Sequence, residues 1–461
     1  MLFKMEYLSI KGGKPLQGHI KAAGAKNAIT KMLVASLISD KKCIFTNVPN
    51  ILEVETTVEL CKEIGMVVCW DKEKGILEAQ TKELCSTYIP QKFSGVNRIP
   101  ILMIGALLGR TTEDIIVPTA GGCKIGKRPV DYHINALEKL GASIEYRKMQ
   151  KEGAYFAQAH EGLKGSIISL PYPSVGATEN SLLAACRAKG KTVIQNAAIE
   201  PEVMDLIFFL QKLGVIIHIE SDRKIIVEGS SEFHEVTHEV ISDRIEAASF
   251  GMAAISTQGK VFVEGAKQEH MLIFLNYLRK IGGGFEVKKN GIEFFYSSAL
   301  KGNLVLETNV HPGFLTDWQQ PFVTLLTQCS GTSVIHETVY ENRFGYTQTL
   351  NDMGANIELF TDCLGACPCR FSLQSYKHSA IVKGATPLHG RDIFIPDLRA
   401  GFAYVMAALI STDQSRLYNL QYLDRGYEYL DKKLLSIGAE VERVQQIKAP
   451  NELLASALLC R

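Results

Sequence analysis

One pattern recurs six times along this chain and limits what it can fold into. Leu-x-x-(Leu/Ile/Met)-Gly ends at Gly141, Gly214, Gly282, Gly354 and Gly438, and a variant with Cys61 in place of leucine ends at Gly65. Each copy reads as the last turn of a helix stopped by glycine, the residue that most easily takes a left-handed conformation just past a helix end. A short β-rich run usually follows, such as Met66-Val67-Val68, Val215-Ile216-Ile217 or Asn356-Ile357-Glu358.

Each repeat also holds a second helix, rich in alanine and apolar nearly all round. These helices are expected to begin near Lys26, Arg98, Thr178, Asp243, Thr316 and Asp397. A helix with no polar face belongs in an interior. A short strand follows each, for example Ile44-Phe45-Thr46-Asn47 and Val193-Ile194-Gln195-Asn196. The unit is therefore helix, strand, helix, strand and further strand, and the fold class is α/β. Six such units in 461 residues are too many for one core, so they divide into two domains of three units each.

The starts of the buried helices carry unusual residues. Lys26, Arg98, Arg244 and Arg399 place cations where a helix dipole disfavours them, beside Asn27, Thr178, Asp243, Thr316, Asp317 and Asp397. Helices aligned in one direction would bring positive N-termini and cations to one place, a site for a polyanion. Capping accounts for the Asp, Thr and Asn residues equally well, but not for the cations.

The second repeat is about five residues longer than the others, and the surplus falls in Gly121-Gly122-Cys123-Lys124-Ile125-Gly126-Lys127-Arg128-Pro129-Val130-Asp131. A loop without precedent in its sister repeats points to function rather than packing. Its glycines permit close approach of the backbone to a ligand, successive N–H groups can cradle an anion, and Lys124, Lys127 and Arg128 favour the Cys123 thiolate.

Composition narrows the partners. A net charge of +1 gives no electrostatic case for nucleic acid or a membrane surface as the main partner. Eleven cysteines, an odd count without framework spacing, suggest reduced thiols and a cytoplasmic setting. The segment Met1 to Glu6 lacks the apolar core of a signal peptide, and the longest uncharged apolar runs, Ile99 to Gly109 and Ala400 to Thr412, are too short to span a bilayer.

Read together, Gly24-Ala25-Lys26-Asn27-Ala28, the cysteine loop, Ser174-Val175-Gly176-Ala177-Thr178-Glu179-Asn180, Asp243-Arg244-Ile245-Glu246, Thr316-Asp317, Glu341-Asn342-Arg343-Phe344, Asp397-Leu398-Arg399-Ala400 and Asp424-Arg425-Gly426-Tyr427-Glu428 resemble the UDP-N-acetylglucosamine 1-carboxyvinyltransferase family of enolpyruvyl transferases, over roughly residues 7 to 443. The resemblance implies two inside-out α/β barrel domains, one at 22–241 and the other, discontinuous, at 1–21 and 242–461, with ligands in the cleft between. It implies transfer of the enolpyruvyl group of phosphoenolpyruvate to the 3-hydroxyl of UDP-N-acetylglucosamine with release of phosphate. That reaction opens peptidoglycan synthesis, uses neither metal nor organic cofactor, and is the target of fosfomycin.

The resemblance also implies roles. Cys123 is the expected proton donor to C3 of the enolpyruvyl group, and Asp317 the base for the sugar hydroxyl, with capping of its own helix as the structural alternative. Lys26, Arg98, Arg128, Arg399 and Arg425 are expected on the phosphate and carboxylate of phosphoenolpyruvate. Asn27, Arg98, Arg128, Pro129, Val130, Asp131, Tyr132, Ser174, Val175, Gly176, Asp317 and Val339 are expected around the nucleotide sugar, and Glu200 and Glu202 in support. Ion pairing is the plainer role for the cations. Thr30-Lys31, Pro100, Tyr172, Phe402 and Tyr404 depart from the family pattern, which bears on affinity rather than reaction class. Two other readings stay open: a related transferase acting on shikimate 3-phosphate, and a catalytically silent UDP-sugar-binding paralogue. Cys363, Cys367 and Cys369, with His378 and His389 beyond, read as a turn rather than a metal site, because C-x3-C-x-C is not a zinc spacing. Ile447 to Arg461 reads as a weak terminal helix.

Overall fold

The computed structural model describes residues 3–122, 129–148, 153–366 and 369–448. The chain divides into two compact units: Ala23–Asp243 with Val310–Pro312, and Met1–Ala22 with Arg244–Asn309 and Gly313–Arg461. Each has its own apolar core, one drawn from residues between Ala25 and Val240, the other from Leu8 to Ala22 and Ile245 to Val441.

The repeat is visible in the sheets. Among the described residues there are five four-stranded sheets and one of three strands. Each four-stranded sheet has one parallel and two antiparallel pairings; an example is Val236–Glu239 parallel to Cys43–Thr46, then Ile76–Gln80 and Val67–Asp71 antiparallel. In the three-stranded sheet the parallel edge shrinks to one bridge, Tyr88 to Ile116. The sixth sheet is completed from the start of the chain, where Phe3–Lys11 lies antiparallel between Gln414–Tyr418 and Glu440–Lys448. That last strand includes Ile447 and Lys448, so the expected terminal helix does not begin at Ile447; residues 449–461 lie outside the described residues.

The six stop glycines all adopt positive φ, from 88° at Gly438 to 114° at Gly354. Asn47, Asn196 and Asn419, which close equivalent strands, share a second device. All three are left-handed, at φ 56°, 55° and 64°, and each donates its side-chain amide to a carbonyl just past the parallel edge strand, at Val240, Leu170 and Ile395. Asparagine tolerates this conformation better than other non-glycine residues.

The buried helices are Lys26–Ser36, Pro100–Leu107 and Val175–Ala185 in one unit, and Arg244–Ser256, Thr316–Leu326 and Leu398–Ile410 in the other. The third begins at Val175, three residues before the expected Thr178. Small residues set how closely these helices pack. A Cβ on Gly105 would lie 2.2 Å from Asn180 Oδ1, which instead accepts a hydrogen bond from the Gly105 amide at 3.1 Å. The outer helices are amphipathic: Leu272–Lys280 buries Phe274, Leu275 and Leu278. No helix among the described residues is long and apolar enough to cross a membrane.

Candidate active site

The expected site residues fall in both units. In Ala23–Asp243, Lys26 and Asn27 open a helix whose N-cap, Ala25, has no capping side chain. Lys26 Nζ lies 3.8 Å from the buried Glu53, within its own unit, which offsets a cation at the positive end of a helix. Lys31, one turn on, donates to the Asn27 carbonyl at 2.9 Å and approaches Glu179 at 3.9 Å. Thus Lys31, at a position where the family pattern differs, holds the backbone of an expected site residue. Burial is the main force on Glu179 and pushes its carboxyl up to about 7, with Lys31 acting the other way and Glu200 and Glu202 raising it further.

Ser174, Val175 and Gly176 form the start of another buried helix. Ser174 is its N-cap and accepts from the Ala177 amide at 3.4 Å. Gly176 lies against His133: a Cβ there would sit 2.9 Å from the ring Cε1. His133 is held in turn by Asn180, whose amide nitrogen is 3.3 Å from Nδ1. The helix carrying His133, Asp131–Lys139, opens next to Pro129 and Val130, with Asp131 matched to its positive end. Arg98 Nη2 reaches the Pro129 carbonyl at 3.5 Å, joining two expected site segments. Tyr132 lines a cleft of about 610 Å³ with Asn135, Ile167, Ser169, Leu170 and Pro171. The cysteine loop departs from Gly121, whose amide donates to Asn97 at 2.9 Å and where a Cβ would lie 2.1 Å from the Gly95 carbonyl oxygen. Cys123 and Arg128, with Lys124 and Lys127, lie outside the described residues. Elsewhere, burial pushes the Cys43, Cys186 and Cys329 thiols up to about 12, consistent with inert packing.

In the other unit, Asp317 is the second residue of the helix Thr316–Leu326. It is not the cap: Leu315 holds that position without a side-chain bond. Asp317 instead accepts from Arg343 Nη2 at Oδ1, 2.8 Å, and faces Arg399 Nη2 from Oδ2, 3.5 Å. The Arg343 side chain is 1% exposed. Burial alone would lower its pKa; Asp317, Asp397 and Glu337 outweigh burial and raise it. Arg399 is oriented by its own helix start, where Asp397 caps the amides of Arg399 and Ala400 at 3.0 and 3.2 Å.

Glu337 links Val339 to the same place. Its Oε2 accepts from Thr316 Oγ1 at 2.9 Å, while Oε1 accepts from the Val339 and Tyr340 amides at 2.9 and 3.1 Å. Burial pushes the Glu337 carboxyl up, and Arg343 pulls against it. Arg425 closes the short helix Gln421–Asp424, and Asp424 is bound by Arg443 at 3.0 Å. Arg244 stacks over Trp318 at 5.5 Å and donates to the His270 carbonyl at 3.3 Å.

Arg343 and Glu337 have no site role expected from sequence: Arg343 belongs to the Glu341-Asn342-Arg343-Phe344 segment, and Glu337 carries no local signal. Phe402 and Tyr404 have a packing explanation: Phe402 stacks on Tyr427 at 4.9 Å, and Tyr404 donates to the Tyr346 carbonyl at 3.2 Å. The cysteines expected in a turn between strands do lie between Asn356–Phe360 and Ser379–Gly384, and the turn gathers other side chains. Cys363, Cys369 and His378 meet His336, a residue from a preceding strand, whereas His389 pairs with Asp413 at 3.5 Å. Cys367 lies outside the described residues.

A family model described as EPSP synthase (3-phosphoshikimate 1-carboxyvinyltransferase) matches residues 10–434. A protein of Protochlamydia amoebophila (strain UWE25), named UDP-N-acetylglucosamine 1-carboxyvinyltransferase, is 67% identical over 449 residues, 97% of each chain. One of the same name from Chlamydia abortus (strain DSM 27085 / S26/3) is 54% identical over 95% of this chain and 98% of its own. In fold, the chain matches the crystal structure of the enolpyruvyl transferase NikO from Streptomyces tendae with a TM-score of 0.83, at 20% identity over 96% of this chain and 100% of that one.

Proposed function

The chain belongs to the EPSP synthase (3-phosphoshikimate 1-carboxyvinyltransferase) family, and from that premise we propose that it is a UDP-N-acetylglucosamine 1-carboxyvinyltransferase. It transfers the enolpyruvyl group of phosphoenolpyruvate to the 3-hydroxyl of UDP-N-acetylglucosamine and releases phosphate, committing the sugar to peptidoglycan in the cytoplasm. The 67% identity to a relative of that name over 97% of both chains carries the choice among family reactions.

The arrangement of Asp317 supports a chemical role. A carboxylate at a helix start, held through one oxygen by a buried arginine, keeps a fixed orientation while its helix presents it. In this reading Asp317 takes the proton of the sugar hydroxyl as its oxygen attacks C2 of phosphoenolpyruvate. Cys123 gives a proton to C3; the tetrahedral adduct then returns a C3 proton to a basic group of the site as phosphate leaves C2, which restores the double bond. Lys26, Arg98, Arg128, Arg399 and Arg425 bind the phosphate and carboxylate, for which the guanidinium fork is suited. Asn27, Pro129–Tyr132, Ser174–Gly176 and Val339 surround the nucleotide sugar, with backbone amides at the start of Val175–Ala185 facing pyrophosphate. The division at 22–241 against 1–21 and 242–461, each an inside-out α/β barrel, belongs to the same reading. Phosphate release measured with each acceptor tests it: turnover should require UDP-N-acetylglucosamine and be absent with shikimate 3-phosphate.

A further inference from the structure

We propose that His336, Cys363, Cys369 and His378 form a Cys2His2 site for one zinc-class divalent cation, separate from the substrate residues. The four ligand atoms lie within 4.8 Å of one another, and both histidines are fully buried. His336 ends the strand Gly331–His336 and is paired in register with Ser379 at the start of Ser379–Gly384, so His378 stands one residue from its cross-strand neighbour. Cys363 follows the adjacent strand Asn356–Phe360 by three residues.

The spacing suits tetrahedral coordination. Zinc–sulfur bonds of about 2.3 Å place two thiolates about 3.8 Å apart at a tetrahedral angle, and Cys363 Sγ to Cys369 Sγ is 3.8 Å. Cys363 Sγ to His378 Nε2 is 3.3 Å. A disulfide would require a sulfur separation of about 2.05 Å and would leave the imidazoles unexplained.

Proton bookkeeping identifies which ring nitrogens are available. His378 Nδ1 is 2.8 Å from the Tyr376 carbonyl, which can only accept, so Nδ1 carries the hydrogen and Nε2 a lone pair. Ser379 Oγ donates its single proton to the Asp362 carbonyl at 2.7 Å and accepts from the Leu364 amide at 3.2 Å. Its contact with His336 Nδ1, 2.9 Å, is therefore a bond donated by the ring. That leaves His336 Nε2 as a bare lone pair, buried and without a hydrogen-bond partner among the described residues. Such a group is costly unless something electron-poor binds it. Both imidazoles thus have the outer hydrogen bond that metal-ligating histidines use to fix tautomer and orientation. Cys369 Sγ accepts from the Phe371 amide at 3.3 Å. Two thiolates and two imidazoles in closed tetrahedral array are a structural zinc set rather than a catalytic one.

The test is metal analysis of the full chain, purified without chelator and also reconstituted with zinc. The expected result is about one zinc per chain, lost in Cys363→Ser and in Cys369→Ser, and kept in the control Cys69→Ser. Cobalt(II) should give a thiolate-to-cobalt charge-transfer band with the intense d–d bands of tetrahedral geometry, and this readout on the unsubstituted chain stands even if a variant fails to fold. Absence of stoichiometric metal after reconstitution, full metal in both cysteine variants, or a Cys363–Cys369 disulfide found by peptide mapping would each overturn the proposal.

Discussion

Arg343 holds Asp317 through a 2.8 Å hydrogen bond from a side chain almost sealed from solvent. The guanidinium is surrounded by carboxylates, including Glu337, whose own oxygens fix Thr316 and the Val339 amide. Three segments thereby share one network, and the orientation of Asp317 depends on a residue that need not touch substrate.

Arg343→Lys keeps a charge but loses the planar fork. It should lower kcat about 10- to 100-fold, the scale of a misplaced catalytic group, with KM for either substrate changed less than about threefold. Arg343→Met should in addition lower unfolding free energy by about 3–5 kcal/mol, because it strands buried carboxylates. Steady-state kinetics and urea titration measure the two effects separately.

Glu179 makes stability depend on pH. Its carboxyl titrates near 7 when folded and at the ordinary 4.5 otherwise. Between those values the folded chain binds more protons than the unfolded one, so stability falls as pH rises through that window and is present in full only below it. The loss should approach about 3 kcal/mol by pH 8. Glu179→Gln should flatten this segment of the profile; urea unfolding at pH 5 and pH 8 for both chains checks the difference.

Gly176→Ala should be costly although both residues are small. The new methyl meets His133 at 2.9 Å, and Asn180 restrains that ring. We expect about 1–3 kcal/mol of lost stability and a KM for the nucleotide sugar raised several-fold with kcat little changed. Thermal unfolding and calorimetric titration with UDP-N-acetylglucosamine read the two consequences.

The repeats were legible because their signals are local. A glycine after a periodic apolar run meets its fate within its own helix end, and all six did so. Ser174 caps a helix that starts three residues before the expected Thr178, whereas Asp397 as a cap is readable for the same local reason. The partners of Asp317 were not, since Arg343 and Arg399 are 26 and 82 positions away and only tertiary packing joins them. His336 is hidden for a similar reason: it ends a strand 27 residues before Cys363, so no cysteine spacing rule includes it. Phe402 and Tyr404 depart from the family pattern as if to alter affinity, whereas they pack on the core residues Tyr427 and Tyr346.

Cys123 should be the residue that fosfomycin alkylates. Intact mass and peptide mapping should find one adduct there. Cys123→Asp should resist alkylation and retain turnover, since a carboxylic acid can donate the same proton, while Cys123→Ser should be slower by about 10²-fold or more because a hydroxyl is a much weaker acid.

The central claim is tested most directly by phosphate release from phosphoenolpyruvate with each acceptor in turn. The account predicts turnover with UDP-N-acetylglucosamine, none with shikimate 3-phosphate, and loss of the signal in Asp317→Ala. Release that depends on shikimate 3-phosphate, or nucleotide-sugar binding without any release at saturation, would contradict it.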